Sequence, residues 1–167
     1  KNSGKPIWEF EEEKQYDLFI VLDCSSGDRL GEAAKYFRSA KHTLCFDHHI
    51  SNSGHFTEKL VLYPDYSSTC EVLFTCMCEE KISLSTAEAL YLGIVHDTGV
   101  FKHSNTLEQT MCIAGKLLSK GVDSSKVIDG TFYEKTYIEN QILGRCLMES
   151  MLLLEGKVIL SYLNYKT

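Results

Sequence analysis

Apolar residues in this chain fall in short, dense runs, each bounded by turn or capping residues. "YDLFIVLD", Tyr16 to Asp23, holds a short continuous apolar run, "LFIVL", that stops at an acid. That is the pattern of a strand buried on both faces in a parallel sheet. A second run, "HTLCFD", also stops at an acid, Asp47, and "KLVLY", Lys59 to Tyr63, is a third, closed by Pro64. Between the first two, "CSSGD" turns the chain into a helix predicted from Arg29 to Arg38.

Helix starts are marked by a hydroxyl followed three residues later by an acid or amide, the spacing of a capping box. Ser68 with Glu71 predicts a helix reaching about Glu79. Ser85 with Glu88 opens "TAEALYLGIVH", and Thr106 with Gln109 starts a helix ending at Gly121 after Lys120. A last helical stretch runs from Lys135 to Leu153, and Gly156 then leads into a terminal strand within "VILSYLNYKT". Strands alternating with helices predict an α/β domain with a mainly parallel sheet flanked by helices. In such sheets the chemistry gathers at the carboxyl ends of the strands, where two of these three predicted strands carry an Asp.

The chain has 167 residues, enough for one α/β domain or for one domain and a piece of another. At 44% hydrophobic and 24% charged residues it can build a core, which excludes wholesale disorder. A formal charge of −6 disfavours long duplex nucleic acid as a partner. A short anionic substrate held through a metal stays compatible, because the ion reverses the local field. The seven cysteines are odd in number and lack disulfide-framework spacing, and no secretory leader or bilayer-length apolar run is present. A cytoplasmic protein with reduced thiols and no membrane association is expected. Cys70, Cys76 and Cys78 form no Cys-x-x-Cys pair and are expected to act as small buried hydrophobes rather than zinc ligands.

The chemistry concentrates in "FDHHISN" and "YLGIVHDTGVF". Asp23, Asp47, His48, His49 and Asp97 all fall at predicted element ends, Asp97 in a turn marked by Gly99. Carboxylate and imidazole together suit Mn²⁺, with Mg²⁺ or Co²⁺ as alternatives, and the lack of thiolate argues against structural zinc. Two metals bridged by carboxylates can activate water to attack phosphorus. An isolated Asp-His-His is weak evidence, since polar residues cluster in turns anyway.

Four blocks in order strengthen it. "FIVLD", "FDHHISN", "SSTCEV" and "GIVHDTGVF" together resemble the DHH phosphoesterase family, in particular its nanoRNase and pAp-phosphatase subgroup, also described as exopolyphosphatase-like. The resemblance spans roughly Tyr16 to Val122. It implies that Asp23 bridges two metals, that His48 and Asp97 ligate one of them, and that His49 faces the scissile phosphate. Asp47 would fix the direction of a histidine from behind. Ser67, Ser68 and Thr69 cap a helix, and that helix start is also a candidate phosphate site, with His49, Ser68 and Thr69 as substrate contacts. Thr98 and Gly99 shape a turn, Arg29 and Arg145 are solvated helix residues, and His42, His55 and His103 are surface or turn histidines. His96 stands where relatives often carry Thr and is taken as a bystander.

Two departures matter. The family's His-x-x-x-Asp-x-Asp block, which supplies three more ligands, does not occur in the chain. Its C-terminal DHH-associated domain, with a Gly-Gly-Gly-His loop, is expected to be represented only by its first strand. The expected organisation is therefore a truncated DHH domain over 1–122, a linker helix region over 123–153 and the first strand of the second domain over 154–167. The resemblance implies hydrolysis of short oligoribonucleotides or 3′-phosphoadenosine 5′-phosphate (pAp), with two metal ions in the complete enzyme and an inactive fragment here. A cyclic-dinucleotide phosphodiesterase, a pyrophosphatase and a non-catalytic nucleotide-binding regulatory domain are the alternatives, and a homodimer is compatible with all of them.

Overall fold

The computed structural model describes residues 15–164, and the chain divides into two compact units between Val127 and Ile128. In the first unit, β1 (Leu18–Leu22) leads through a turn of 3-10 helix at Gly27–Ala33 into α1 (Ala34–Ser39), and β2 (His42–Asp47) and β3 (Lys59–Leu62) follow. The three strands are parallel and lie in sequence order. The helix expected from Arg29 to Arg38 is broken at Gly31, whose φ of 51° and ψ of −132° suit glycine alone.

Register decides where the acids emerge. Leu22 pairs with Phe46, and the Asp23 N–H continues the ladder to the Phe46 carbonyl at 3.0 Å. The Asp47 carbonyl accepts from the Tyr63 N–H on the other side at 3.2 Å. Asp23 and Asp47 therefore leave adjacent strands at the same end of the sheet.

Helices α2 (Thr69–Cys76), α3 (Leu84–Asp97) and α4 (Glu108–Ser119) complete the layer against the sheet, and α5 (Ser124–Ile128) carries the chain to the unit boundary. Their common core contains Val72, Ile94, Val95 and Leu117, none with any exposed surface, next to Cys45 of β2. Ser68 caps α2 as expected, its hydroxyl accepting from the Glu71 N–H at 3.1 Å. Two other predicted starts shift. α3 is capped by Ser83 rather than Ser85, because the earlier hydroxyl takes the Thr86 N–H at 3.2 Å and draws Leu84 into the helix. α4 begins after Leu107 rather than at Thr106, because Gln109 reaches away to Glu71 at 3.0 Å instead of back to a cap. Its end matches expectation, with Gly121 at φ 100° just past the last turn.

In the second unit, Thr136 and Glu139 form a reciprocal capping box at the start of α6 (Tyr137–Met148). The helix stops there and not at Leu153. Residues Met151–Leu153 form β4, which pairs antiparallel with β5 (Val158–Leu160). Leu154, Glu155 and Gly156, all at positive φ, turn the hairpin. A short apolar run is ambiguous by periodicity, and strand pairing resolves it. All seven cysteines are unpaired thiols. Among the described residues no helix is long and apolar enough to cross a membrane.

Close packing of α3 on α2 depends on Gly93, since a Cβ there would lie 2.2 Å from the Cys70 sulfur. Gly93→Ala should thus destabilise the protein by about 1–3 kcal/mol despite alanine's better helix propensity. Cys70→Ala in the same chain should recover most of that loss. Urea denaturation of the two single variants and the double checks the coupling.

Candidate metal centre

Asp23 follows β1 with a φ of 59°, in the left-handed region that Asp tolerates better than most side chains. This backbone turn lifts its carboxylate over the strand ends. Thr69 donates its hydroxyl to Asp23 Oδ1 at 2.7 Å. His48, from the turn after β2, directs Nε2 between two acids, 3.6 Å from Asp23 Oδ1 and 3.8 Å from Asp97 Oδ2. Its other ring nitrogen, Nδ1, lies 3.1 Å from the Tyr66 carbonyl. A carbonyl only accepts, so Nδ1 carries the hydrogen and the Nε2 lone pair faces the carboxylates.

Asp47 has no exposed surface. Its Oδ1 accepts from the His48 N–H at 2.8 Å, the His49 N–H at 3.1 Å and His49 Nδ1 at 2.7 Å, and its Oδ2 accepts from Asn52 at 2.7 Å. Burial alone would raise its pKa, but the His49 ring, Asn52 and the two backbone donors together hold it below the usual aspartate value. The buried anion thereby holds the His49 ring through Nδ1. Asn52, itself buried, belongs to this network although its place in "FDHHISN" was the only hint of a role.

Asp97 is the last residue of α3, one turn-residue earlier than a loop position and at the negative end of the helix dipole. Burial first and then Asp23 raise its pKa above the ordinary value, against the opposing pull of His48, His49 and His96. Asp23, His48 and His49 offer ligand atoms within 4.8 Å of one another, and Asp97 joins them through His48. The nearest His49 atom, Nδ1, is committed to Asp47, which leaves Asp23 and His48 as the converging donors with Asp97 within reach of His48. Two acids flanking one imidazole lone pair, with no thiolate, fit a divalent cation of the Mn²⁺ or Mg²⁺ kind.

The hydroxyls expected to meet substrate have other partners. Ser68 is fully buried as the cap of α2, and Thr69, 3% exposed, is turned to Asp23. Both side chains are thus buried and engaged within the fold. Ser67 is buried too and donates its backbone N–H and hydroxyl to Glu71. His103 is a turn histidine whose Nδ1 lies 3.3 Å from the Asp97 carbonyl, and His42 is exposed and paired with Glu58.

A parallel sheet with carboxylates and imidazoles at its strand ends makes this an α/β domain with a candidate metal centre. Residues 3–94 match the DHH family, N-terminal domain, and the chain belongs to that family, whose phosphoesterases are metal-dependent. The match ends short of Asp97. The bifunctional oligoribonuclease and PAP phosphatase NrnA of Bacillus subtilis is 29% identical over 123 residues, 71% of this chain and 38% of that protein. An A-adding tRNA nucleotidyltransferase of Geobacter sulfurreducens is 28% identical over 120 residues, covering 70% of this chain and 14% of its own. The crystal structure of an exopolyphosphatase-related protein from Bacteroides fragilis superposes with a TM-score of 0.75 at 26% identity, over 81% of this chain and 41% of that one. The chain thus spans about two fifths or less of the length of these relatives.

The raised Asp97 pKa carries a sign. A carboxyl that holds its proton more tightly in the folded state favours folding below the ordinary aspartate range and opposes it above the folded pKa. Asp97→Asn should therefore raise the melting temperature of the metal-free protein at pH 7. The gain should vanish as the pH falls towards about 4, the usual aspartate value. Calorimetric melts across that range test both halves.

Proposed function

We propose that this chain is the metal-holding part of a phosphoesterase that hydrolyses short oligoribonucleotides, pAp, or both. The observation that carries the proposal is His48 Nε2 facing both Asp23 and Asp97 while Nδ1 is held by the Tyr66 carbonyl. Asp23, His48 and Asp97 would hold a divalent cation, Mn²⁺ in the first instance, with Mg²⁺ or Co²⁺ as substitutes and a second ion in the complete enzyme. When bound, such ions activate water and neutralise charge on a phosphoryl group.

The chain's own residues do the positioning. Asp47 keeps the His49 ring at a fixed angle. Held through Nδ1, the ring can offer its other nitrogen to a phosphate oxygen. The net charge of −6 favours a short substrate gripped at its phosphate over a long polyanion. The relative named for oligoribonuclease and PAP phosphatase activity supports the same substrate class. The nucleotidyltransferase relative favours a second reading, in which the domain binds nucleotides within a protein whose chemistry lies elsewhere.

One assay separates the two readings. With saturating Mn²⁺, His48→Ala should slow phosphate release from pAp and shortening of an RNA trinucleotide by at least about a hundredfold. His42→Ala should leave both rates near the wild type. Equal rates for wild type and His48→Ala would exclude the proposed centre, and no hydrolysis by the wild type would favour the binding reading.

A further inference from the structure

The buried carboxylate of Glu71 plays no part in the chemistry proposed above, yet it is among the least exposed groups of the protein, at 1%. Its Oε2 accepts from the Ser67 N–H at 2.9 Å, the Ser67 hydroxyl at 2.6 Å and the Thr110 hydroxyl at 3.1 Å, and its Oε1 accepts from Gln109 at 3.0 Å. A buried anion is costly unless it is fully hydrogen-bonded, and an apolar side chain would fill the same space at less expense. What Glu71 secures is the segment just before it. Tyr66 gives its carbonyl to His48 Nδ1 at 3.1 Å. The Ser67 carbonyl and the Asp97 carbonyl share the Asn105 amide, each at 3.1 Å. Thr69 donates to Asp23 Oδ1 at 2.7 Å. Three residues of the Tyr66–Thr69 segment thus reach the three candidate ligands, Ser67 by way of Asn105.

We infer that Thr69 is a positioning residue for Asp23, and that Glu71 acts through the Tyr66–Thr69 segment to set the spacing of Asp23, His48 and Asp97. The inference rests on the reading of Asp23 as a metal ligand. The Thr69 hydroxyl occupies one lone pair of Oδ1 and fixes the carboxylate's rotation, leaving the remaining lone pairs for a cation. Without that bond, an Asp that is half exposed and on a left-handed backbone would sample several rotamers, and each would weaken the donor set.

The 167-residue chain can be titrated with Mn²⁺ to millimolar concentration, following loss of the free-ion paramagnetic resonance signal, with metal-free melting temperatures measured alongside. Asp23→Asn should weaken binding most. Thr69→Val should weaken it about tenfold with little change in the metal-free melting temperature, and Thr69→Ser should restore it. Glu71→Gln places an amide against four donors and should weaken binding to a similar degree. Combined with Thr69→Val it should weaken binding further, because Glu71 also holds the Tyr66 and Ser67 contacts to His48 and Asp97. If Glu71→Gln does not fold, the two Thr69 variants decide the matter. Unchanged affinity in Thr69→Val beside a loss in Asp23→Asn would overturn the inference and leave the metal reading standing. Unchanged affinity in Asp23→Asn would overturn the metal reading and the inference with it.

Discussion

A buried anion sits at the root of the site. Asp47 has no contact with solvent, and every strong donor around it comes from the six residues that begin at Asp47 itself. That arrangement forces the chain after β2 to wrap back over its own carboxylate. The two backbone donors hold the start of the turn, and Asn52 closes it. His48 and His49 are thrown to the same side of the sheet by this wrapping, with their ring centroids 4.6 Å apart. One imidazole is then tied to Asp47 and the other to the Tyr66 carbonyl, so each ring has one nitrogen committed and one left over. Removing the Asp47 charge would release the turn, the ring and the strand end at once.

The residues of the candidate centre are also where the fold carries opposing forces. Asp23 accepts a left-handed backbone, and Asp97 is held against a like charge with its pKa raised. Neither helps the metal-free fold, and departures of this kind concentrate at functional sites. A cation between the two acids would relieve both the repulsion and the desolvation. Around them, Ser68, Glu71 and Asn105 tie α2, α3 and the loop before α4 into a frame that does not depend on the ion.

Much of this was legible in the sequence, for identifiable reasons. β2 and its terminal Asp47 were visible as a short apolar run with a sharp polar end, but the expected burial on both faces fails for β1, where Leu18, Ile20 and Leu22 are exposed. Parallel pairing then puts Asp23 beside Asp47, a juxtaposition that strand ends alone suggest. What escaped was set by contacts between distant residues. Serines 83 and 85 are both good caps, and only Thr86 selects the first. Thr106 with Gln109 had the right spacing, but Glu71, 38 residues away, takes the glutamine. The same network turned Ser68 and Thr69 from expected substrate contacts into buried scaffold. The Met151–Leu153 run had no local feature to separate helix from strand, and its pairing with β5 decided it. Glu71 was seen only as half of a capping box, because nothing in a sequence tells a solvated acid from a buried one.

The account turns on whether Asp23, His48 and Asp97 bind one cation together. Crystals of the chain soaked in MnCl₂, with diffraction recorded at the manganese absorption edge, test this most directly. The account predicts an anomalous peak bonded to His48 Nε2 and to a carboxylate oxygen of both Asp23 and Asp97, with His49 Nδ1 still on Asp47. A well-ordered site with no peak, or a peak that bypasses His48, would contradict it.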